Sequence, residues 1–192
     1  MFTLSLLPLV LMASTATNVS AEPVLPQGIF RTACIEIGKD GRHGLIAEVS
    51  IEGNVISASA QSYARNDCDE ATVRADYRGV VTGSSESGDR IDFTQQTGAF
   101  TYTLLADDVT TYYNANVETA GCGIGDWQTG VARDVAGATC APYSFPDVGT
   151  VLKDSVWANN NGIVFGRMPL VWETDDTYPA TASGILFTRV KD

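Results

Sequence analysis

The strongest constraint on the fold is a succession of short strand patterns separated by turn residues. Between residues 45 and 52, apolar Leu, Ala, Val and Ile occupy every second position, which is the alternation of a half-buried strand. A turn at Gly53 follows. In the next segment Ile56, Ala58 and Ala60 share one face. Two strands joined by so short a turn predict an antiparallel hairpin.

Similar segments recur along most of the chain. Residues 83–88 are interpreted as a loop and residues 158–161 as a hairpin turn, whereas residues 109–118 fit either one short helix or a strand. We expect strands over residues 28–37, 45–52, 55–64, 71–82, 89–97, 99–105, 150–157, 162–168 and 184–191. With strand spacings near 10–12 residues and at most one helix, this pattern predicts an all-β protein, an antiparallel up-and-down barrel of about eight strands.

The N-terminal segment indicates export. Residues 1–21 contain no charged side chain, are mostly apolar at their start, and end in small residues before Glu22. These features are typical of a secretory signal peptide cleaved near Ala21, and the apolar run is too short for a membrane span. We therefore expect a signal peptide over residues 1–21, one domain over residues 22–192, and a periplasmic or extracellular location. No cysteine lies at the cleavage site, so lipid attachment there is not expected.

The charge balance argues against two classes of partner. The formal net charge is −11, with 12 basic residues that form no run. Nucleic acids and anionic lipid surfaces are bound through clustered positive charge. We therefore expect no nucleic-acid partner, and no later segment is apolar enough to predict a transmembrane span.

The chain has four cysteines, all in the expected exported part. An even number outside the cytosol indicates disulfides. Three connectivities are possible, and we expect the sequential one, Cys34–Cys68 and Cys122–Cys140. Each bridge closes a short loop and stabilises the fold by roughly 3 kcal/mol in the chain-entropy estimate.

Residues 122–140 hold more residue types that occur in functional sites than any other stretch: two cysteines, a glycine cluster, a Trp and an Arg-Asp pair. Gly121, Gly123 and Gly125 resemble part of a dinucleotide fingerprint, but no βαβ unit surrounds them. The two cysteines are too far apart for a Cys-x-x-Cys redox or zinc pair. We interpret the stretch as a disulfide-stapled excursion that Trp127 anchors to the barrel, with Arg133 and Asp134 as a local ion pair.

No catalytic or metal site stands out, and we expect no cofactor. His43, the single histidine, lies at a turn with no recognisable nucleophile motif around it. Acidic loops at residues 66–70 and 173–176 offer oxygen ligands for Ca²⁺ but lack the EF-hand spacing, and both are interpreted as surface loops. Carboxylate-pair catalysis stays open because acidic residues are abundant.

Two ends of the domain carry a family resemblance. Gly28, Ile29 and Phe30 open the first expected strand, and Arg189 closes the last. This resembles lipocalin-like barrels, in which Gly-x-Trp opens the first strand and an Arg from the last strand covers that aromatic ring at the closed end. Here Phe30 stands in place of the Trp. The resemblance implies that Phe30 and Arg189 close the barrel and that its mouth holds an apolar small molecule or lipid chain.

A second resemblance covers residues 28–83. Cys34 follows the Gly-x-aromatic motif, and Tyr63 begins the stretch Tyr-Ala-Arg-Asn-Asp-Cys. The combination is similar to the lipocalin-like half-domain of adenomatosis polyposis coli down-regulated protein and to units in uncharacterised exported bacterial proteins. It adds a fold-level expectation, and fold alone does not establish function.

The aromatic residues are the best sequence indication of a ligand. We expect them to line the barrel interior, with Trp172 near the mouth: Tyr77, Phe93, Trp127, Trp157, Phe165, Trp172 and Phe187. Our first hypothesis is a barrel that binds a small apolar or amphipathic molecule. The second is an adhesion-type domain that contacts an envelope protein. A hydrolase or isomerase on a barrel scaffold is the third.

Overall fold

The computed structural model describes residues 24–140, 143–168 and 176–191. The expected signal peptide lies outside these residues. The β-strands are β1 (Gly28–Arg31), β2 (Ile35–Ile37), β3 (His43–Glu52), β4 (Val55–Tyr63), β5 (Ala71–Ser87), β6 (Arg90–Leu104), β7 (Ala132–Asp134), β8 (Thr139–Cys140), β9 (Tyr143–Ser144), β10 (Val151–Asn159), β11 (Gly162–Phe165) and β12 (Leu186–Arg189). One α-helix, α1 (Asp107–Ala115), follows β6, and a short 3-10 turn covers Lys39–Gly41.

The main sheet closes into an eight-stranded antiparallel barrel in the order β1, β12, β11, β10, β6, β5, β4, β3 and back to β1. Strand β2 extends the first strand along β3, and β7 extends the sheet beside β6. The expected all-β up-and-down barrel is therefore confirmed. It has the architecture that the lipocalin-like resemblance implies.

Small and large side chains share the barrel interior. The inward positions of β3 and β4 are narrow, with Ala47 opposite Ala60 and Val49 opposite Ala58. The facing wall supplies fully buried phenylalanines from β6, β11 and β12: Phe93, Phe100, Phe165 and Phe187. Small residues on one wall make room for the rings of the other, so a narrow barrel can be filled by side chains.

Two disulfides hold the ends of the loops. Cys34–Cys68 joins the break between β1 and β2 to the β4–β5 loop, and Cys122–Cys140 joins two parts of the segment that links β6 to β10. The sequential pairing expected from the sequence is confirmed. Gly44 lies against the first bridge, and a Cβ there would lie 2.5 Å from the Cys68 sulfur.

Three elements differ from the sequence expectation. Residues 83–87 are not a loop, because they continue β5 and pair with β6 as far as Ser87 opposite Arg90. The two strands expected over residues 89–97 and 99–105 are one strand, β6. It has a bulge at Gly98, because Arg78 pairs with Ala99 and Gly79 with Thr97. The helix is the correct alternative for residues 109–118. It begins two residues earlier, at Asp107, and its N-cap residue is Ala106.

No helix among the described residues has the length and hydropathy that crossing a membrane requires.

Candidate binding site at the barrel mouth

The segment between β6 and β10, residues 105–150, folds back over one end of the barrel, and we call it the excursion. Strand β6 pairs along one edge first with β10, up to Gln96 opposite Val151, and then with β7, from Thr101 opposite Asp134. The excursion starts at the end of β6, and both β7 and β10 pair with the same edge of that strand, the edge not paired with β5. The excursion therefore lies over the end of the barrel where β6 finishes, and we call this end the mouth.

Trp127 anchors the excursion. Its side chain is 3% exposed, and its indole N–H donates to the Gly121 carbonyl at 3.1 Å. Asn114 on α1 binds the Trp127 backbone on both sides, accepting from its N–H at 2.8 Å and donating to its carbonyl at 2.9 Å. The Arg133 guanidinium lies 5.7 Å from the indole centroid. The Cys122–Cys140 bridge fixes the same segment, so the anchoring expected for Trp127 is observed.

Arg133 has a different partner from the one expected. Its guanidinium donates to the carbonyls of Gly125 and Asp126, at 3.4 and 3.2 Å. Asp134 accepts instead from the Ala136 backbone N–H at 3.0 Å. Neighbouring residues of a strand point to opposite faces, which separates the two charges. Both side chains therefore support turns of the excursion.

Four aromatic rings from the barrel and the excursion meet at the mouth, and we call them the lid cluster: Tyr102, Tyr113, Trp127 and Phe145. The ring centroid of Tyr102 lies 6.2 Å from Tyr113, 6.4 Å from Trp127 and 5.8 Å from Phe145. Phe145 also lies 5.4 Å from the inward-facing Phe100. Aromatic pairs at these separations attract each other. The lid cluster thus joins the excursion to the inner face of β6.

Beside the lid cluster, the inner face of β4 and β5 carries small side chains, and Ala75 is the register partner of Tyr102. Ala60 and Ala75 face each other across β4 and β5, and Ser62 faces Val73. Ala60, Ser62 and Ala75 are partly exposed, although their strand positions point inward. Partial exposure of inward side chains indicates space beside them that the neighbouring side chains do not fill. These three residues with Leu45, Val73 and Tyr102 define what we call the mouth cleft.

The other half of the interior is filled by protein. Phe165 lies 6.3 Å from Phe93 and 5.6 Å from Phe187, measured between ring centroids, and each of the three rings is fully buried. The Tyr77 hydroxyl donates to Gln95 Oε1 at 2.9 Å in this interior. These side chains occupy the half of the interior away from the mouth.

The residues expected to line a ligand site occupy three different places. Tyr77, Phe93 and Phe165 lie in the filled interior, and Trp127 belongs to the lid cluster. Trp157 does not point inward, because it is the neighbour of the inward-facing Val156 and pairs with Val164 on the outer face. There the Arg90 guanidinium lies 5.6 Å from its ring. Trp172 and residues 173–175 lie outside the described part of the chain.

The candidate acids and bases have structural partners. His43 Nδ1 lies 2.8 Å from the Ala64 carbonyl, and its Nε2 accepts from Arg42 at 2.9 Å. Asp154 points inward and is 1% exposed. Its carboxylate accepts backbone N–H groups from Ser155, Arg167 and Met168 at 2.8–3.0 Å. Burial raises the pKa of Asp154 even so. Within residues 24–140, 143–168 and 176–191, no group of three potential metal ligands occurs.

The mouth cleft was missed at the sequence level, although part of its signal is visible. Alternation places Ala60 on the inner face of β4, and Ala75 on the same face of β5 as Tyr77. Small residues at adjacent inward positions indicate spare volume. The lid cluster has no comparable signal, because Phe145 reaches Phe100 and Tyr102 only through the folding of the excursion.

Comparison with models of known protein families gives no match, and a search of curated proteins finds no relative. The chain's function is therefore inferred from the barrel, its disulfides and the mouth cleft.

Proposed function

We propose that this protein is exported and binds a small apolar or amphipathic molecule in the mouth cleft. One observation carries the proposal: the inward-facing Ala60, Ser62 and Ala75 are small and partly exposed beneath the lid cluster. Ligand sites in proteins are concave and mostly apolar, with few polar groups. The mouth of a barrel is one of the places where they occur.

The residues around the cleft favour an uncharged or amphipathic ligand. None of the six side chains that define the cleft carries a charge. Tyr102 and Tyr113 supply hydroxyl groups, whose oxygens lie 3.5 Å apart. Burial raises the pKa of both phenols, so both stay protonated and able to donate at neutral pH. A ligand with an apolar body and one acceptor group matches this arrangement.

Two further features support export. Both disulfides join loops, as in proteins that fold in an oxidising compartment. The N-terminal residues have the composition of a signal peptide. A periplasmic or extracellular location follows from the proposal. The resemblance to the half-domain of adenomatosis polyposis coli down-regulated protein favours the same role.

An envelope interaction domain is the second candidate. The observation that favours it is a group of exposed apolar side chains on the excursion and the adjoining end of β10: Val131, Tyr143, Val148 and Val151, which are 44–60% exposed. Exposed apolar surface can serve protein contacts. Catalysis is the weakest candidate, since His43 and Asp154 both have structural partners.

The neutral fluorescent probe N-phenyl-1-naphthylamine tests the mouth cleft. We expect the purified protein to enhance its fluorescence in a saturable way. Ala75→Leu and Ser62→Leu place larger side chains in the cleft and should weaken probe binding at least about fivefold. Ala99→Leu is the matched control, because Ala99 is exposed on β6. Equal binding by all four proteins would overturn the proposal, provided that their melting temperatures agree.

A further inference from the structure

A groove lies at the barrel end opposite the mouth. It has a volume of about 720 Å³, which is within the usual range of small-molecule sites, roughly 300–1,000 Å³. It runs between the β10–β11 hairpin and the end of β12, and we call it the rear groove. Its lining residues include Phe30, Ala158, Ile163, Leu186, Arg189 and Lys191.

The rear groove exists because β12 is short. Strand β12 pairs with β11 only at Phe187 and Leu186, and with β1 only at Arg189 and Thr188. Beyond these pairs the β10–β11 hairpin and the end of β12 separate. Ala158 shows the opening, since it lies on the inward face of β10 and is exposed. The floor is apolar, formed by the buried Phe30 and Ile163.

The charges on the rear groove are of one sign. Among the lining residues that the structure describes, Arg189 and Lys191 carry a charge and none is acidic. In a chain with a formal net charge of −11, two cations that line one groove two residues apart distinguish this surface. Neither forms an ion pair with any residue that the structure describes. Gly28 makes room for the Arg189 guanidinium, because a Cβ at that position would overlap it.

We propose that the rear groove binds a single-chain amphipathic carboxylate, separately from the ligand of the mouth cleft. The apolar chain lies against Ala158 and Leu186, while the carboxylate accepts hydrogen bonds from Arg189 and Lys191. Charge-assisted hydrogen bonds of this kind are stronger than neutral ones. The Asn side chains of the hairpin line the same groove and add neutral donors.

The test compares decanoate with decan-1-ol and decyltrimethylammonium, which share its chain length but differ in charge. Each is titrated as a monomer, below the concentration at which it forms micelles, into isotope-labelled protein followed by NMR. We expect decanoate to bind at least about tenfold more tightly than decan-1-ol, and the cation to bind most weakly. The shifts should be largest at Ile163 and the side-chain amides of residues 159–161, and small at Ala60 and Ala75.

Three variants test the assignment. Lys191→Gln should raise the decanoate Kd roughly threefold to fivefold, the effect of one exposed ion pair. Leu186→Glu should raise the decanoate Kd at least about tenfold, because the new carboxylate repels the carboxylate of the ligand. Leu186 is exposed, so no buried residue is disturbed. Lys39→Gln makes the same charge change at the mouth end and should leave the Kd unchanged.

Three results would overturn the proposal. The first is equal affinity for decanoate and decan-1-ol, and the second is decanoate shifts confined to the mouth cleft. The third is binding to phosphatidylglycerol vesicles without binding to monomeric decanoate, which would assign the cations to a lipid surface. The mouth cleft and the rear groove give separate NMR signals, so failure of one proposal is distinguishable from failure of the other.

Discussion

Arg189 joins the last strand of the barrel to the first. It is the register partner of Phe30, and its guanidinium carbon lies 4.7 Å from the Phe30 ring centroid. The contact expected from the lipocalin-like resemblance is therefore present. A cation over an aromatic ring at an exposed site stabilises by about 0.5–1 kcal/mol.

We predict that Arg189→Ala lowers the melting temperature of the barrel. A loss of about 0.5–1 kcal/mol in a domain of this size corresponds to a decrease of roughly 1–4 °C, measurable by circular dichroism. Arg78→Ala removes an exposed Arg from the outer face of β5 and is the control. An unchanged melting temperature for Arg189→Ala would show that the stack does not contribute to closure.

Asp154 gives a pH dependence with a defined sign. Its carboxyl group is buried, which raises its pKa above the value in the unfolded chain. The native state therefore holds this proton more tightly than the unfolded state does. Its contribution to stability is present below the unfolded pKa, about 3.9, and is lost as the pH rises through the raised native pKa.

We predict that Asp154→Asn removes this dependence. Urea denaturation from acidic to neutral pH should show that the stability of the natural protein, relative to Asp154→Asn, falls as the pH rises. Asp126→Asn removes a negative charge from an exposed turn and controls for net charge. A relative stability that rises with pH would show that the three backbone N–H groups outweigh the burial of the carboxylate.

Among the strands, β5 shows why composition misleads. Residues 83–87 are Gly, Ser and Glu, which individually favour loops. In the barrel they pair with β6, where Ser84 lies opposite Phe93 and Ser85 opposite Asp92. These residues are held in the sheet by pairing with β6, and local composition carries no information about that partner. Strands β3 and β4 were predictable because their own alternation records which face is buried.

The excursion is the element that sequence patterns describe least. Its disulfide was predictable from export and cysteine count, and its helix was one of two alternatives. The pairing of β7 with β6 and the packing of Phe145 on Phe100 were not predictable, because both contacts join residues far apart in sequence. The mouth cleft depends on these contacts, so only its Ala-rich wall could be anticipated.

We predict that the Cys122–Cys140 bridge holds the excursion and not the barrel. Replacing both cysteines by Ala should speed proteolysis and hydrogen exchange within residues 105–150. The chain-entropy estimate for such a loop is about 3 kcal/mol. The barrel strands should stay protected. The matched variant replaces both Cys34 and Cys68 by Ala. It removes a disulfide that joins loops of the barrel itself, so we expect it to lower the melting temperature. If the variant without Cys122 and Cys140 also lost protection in β3, β4 and β5, the prediction that this bridge holds only the excursion would be wrong.

At the scale of the whole molecule, the barrel has two different halves. Phenylalanines of β6, β11 and β12 pack together in the interior, while at the mouth β4 and β5 carry small side chains beneath the excursion. The number of strands and their simple order follow from strand spacing and short turns, which sequence reveals. Which side chains meet across the interior depends on which strands face each other, and this follows only from closure of the barrel.

Native mass spectrometry of the protein purified from the exported fraction, before and after organic extraction, tests the central claim most directly. We expect a chain that begins at Glu22, carries two disulfides and holds a small molecule that extraction removes. Ala75→Leu should reduce the bound fraction, while Ala99→Leu should not. A ligand-free mass before extraction, unchanged by added N-phenyl-1-naphthylamine, would contradict the proposed binding function.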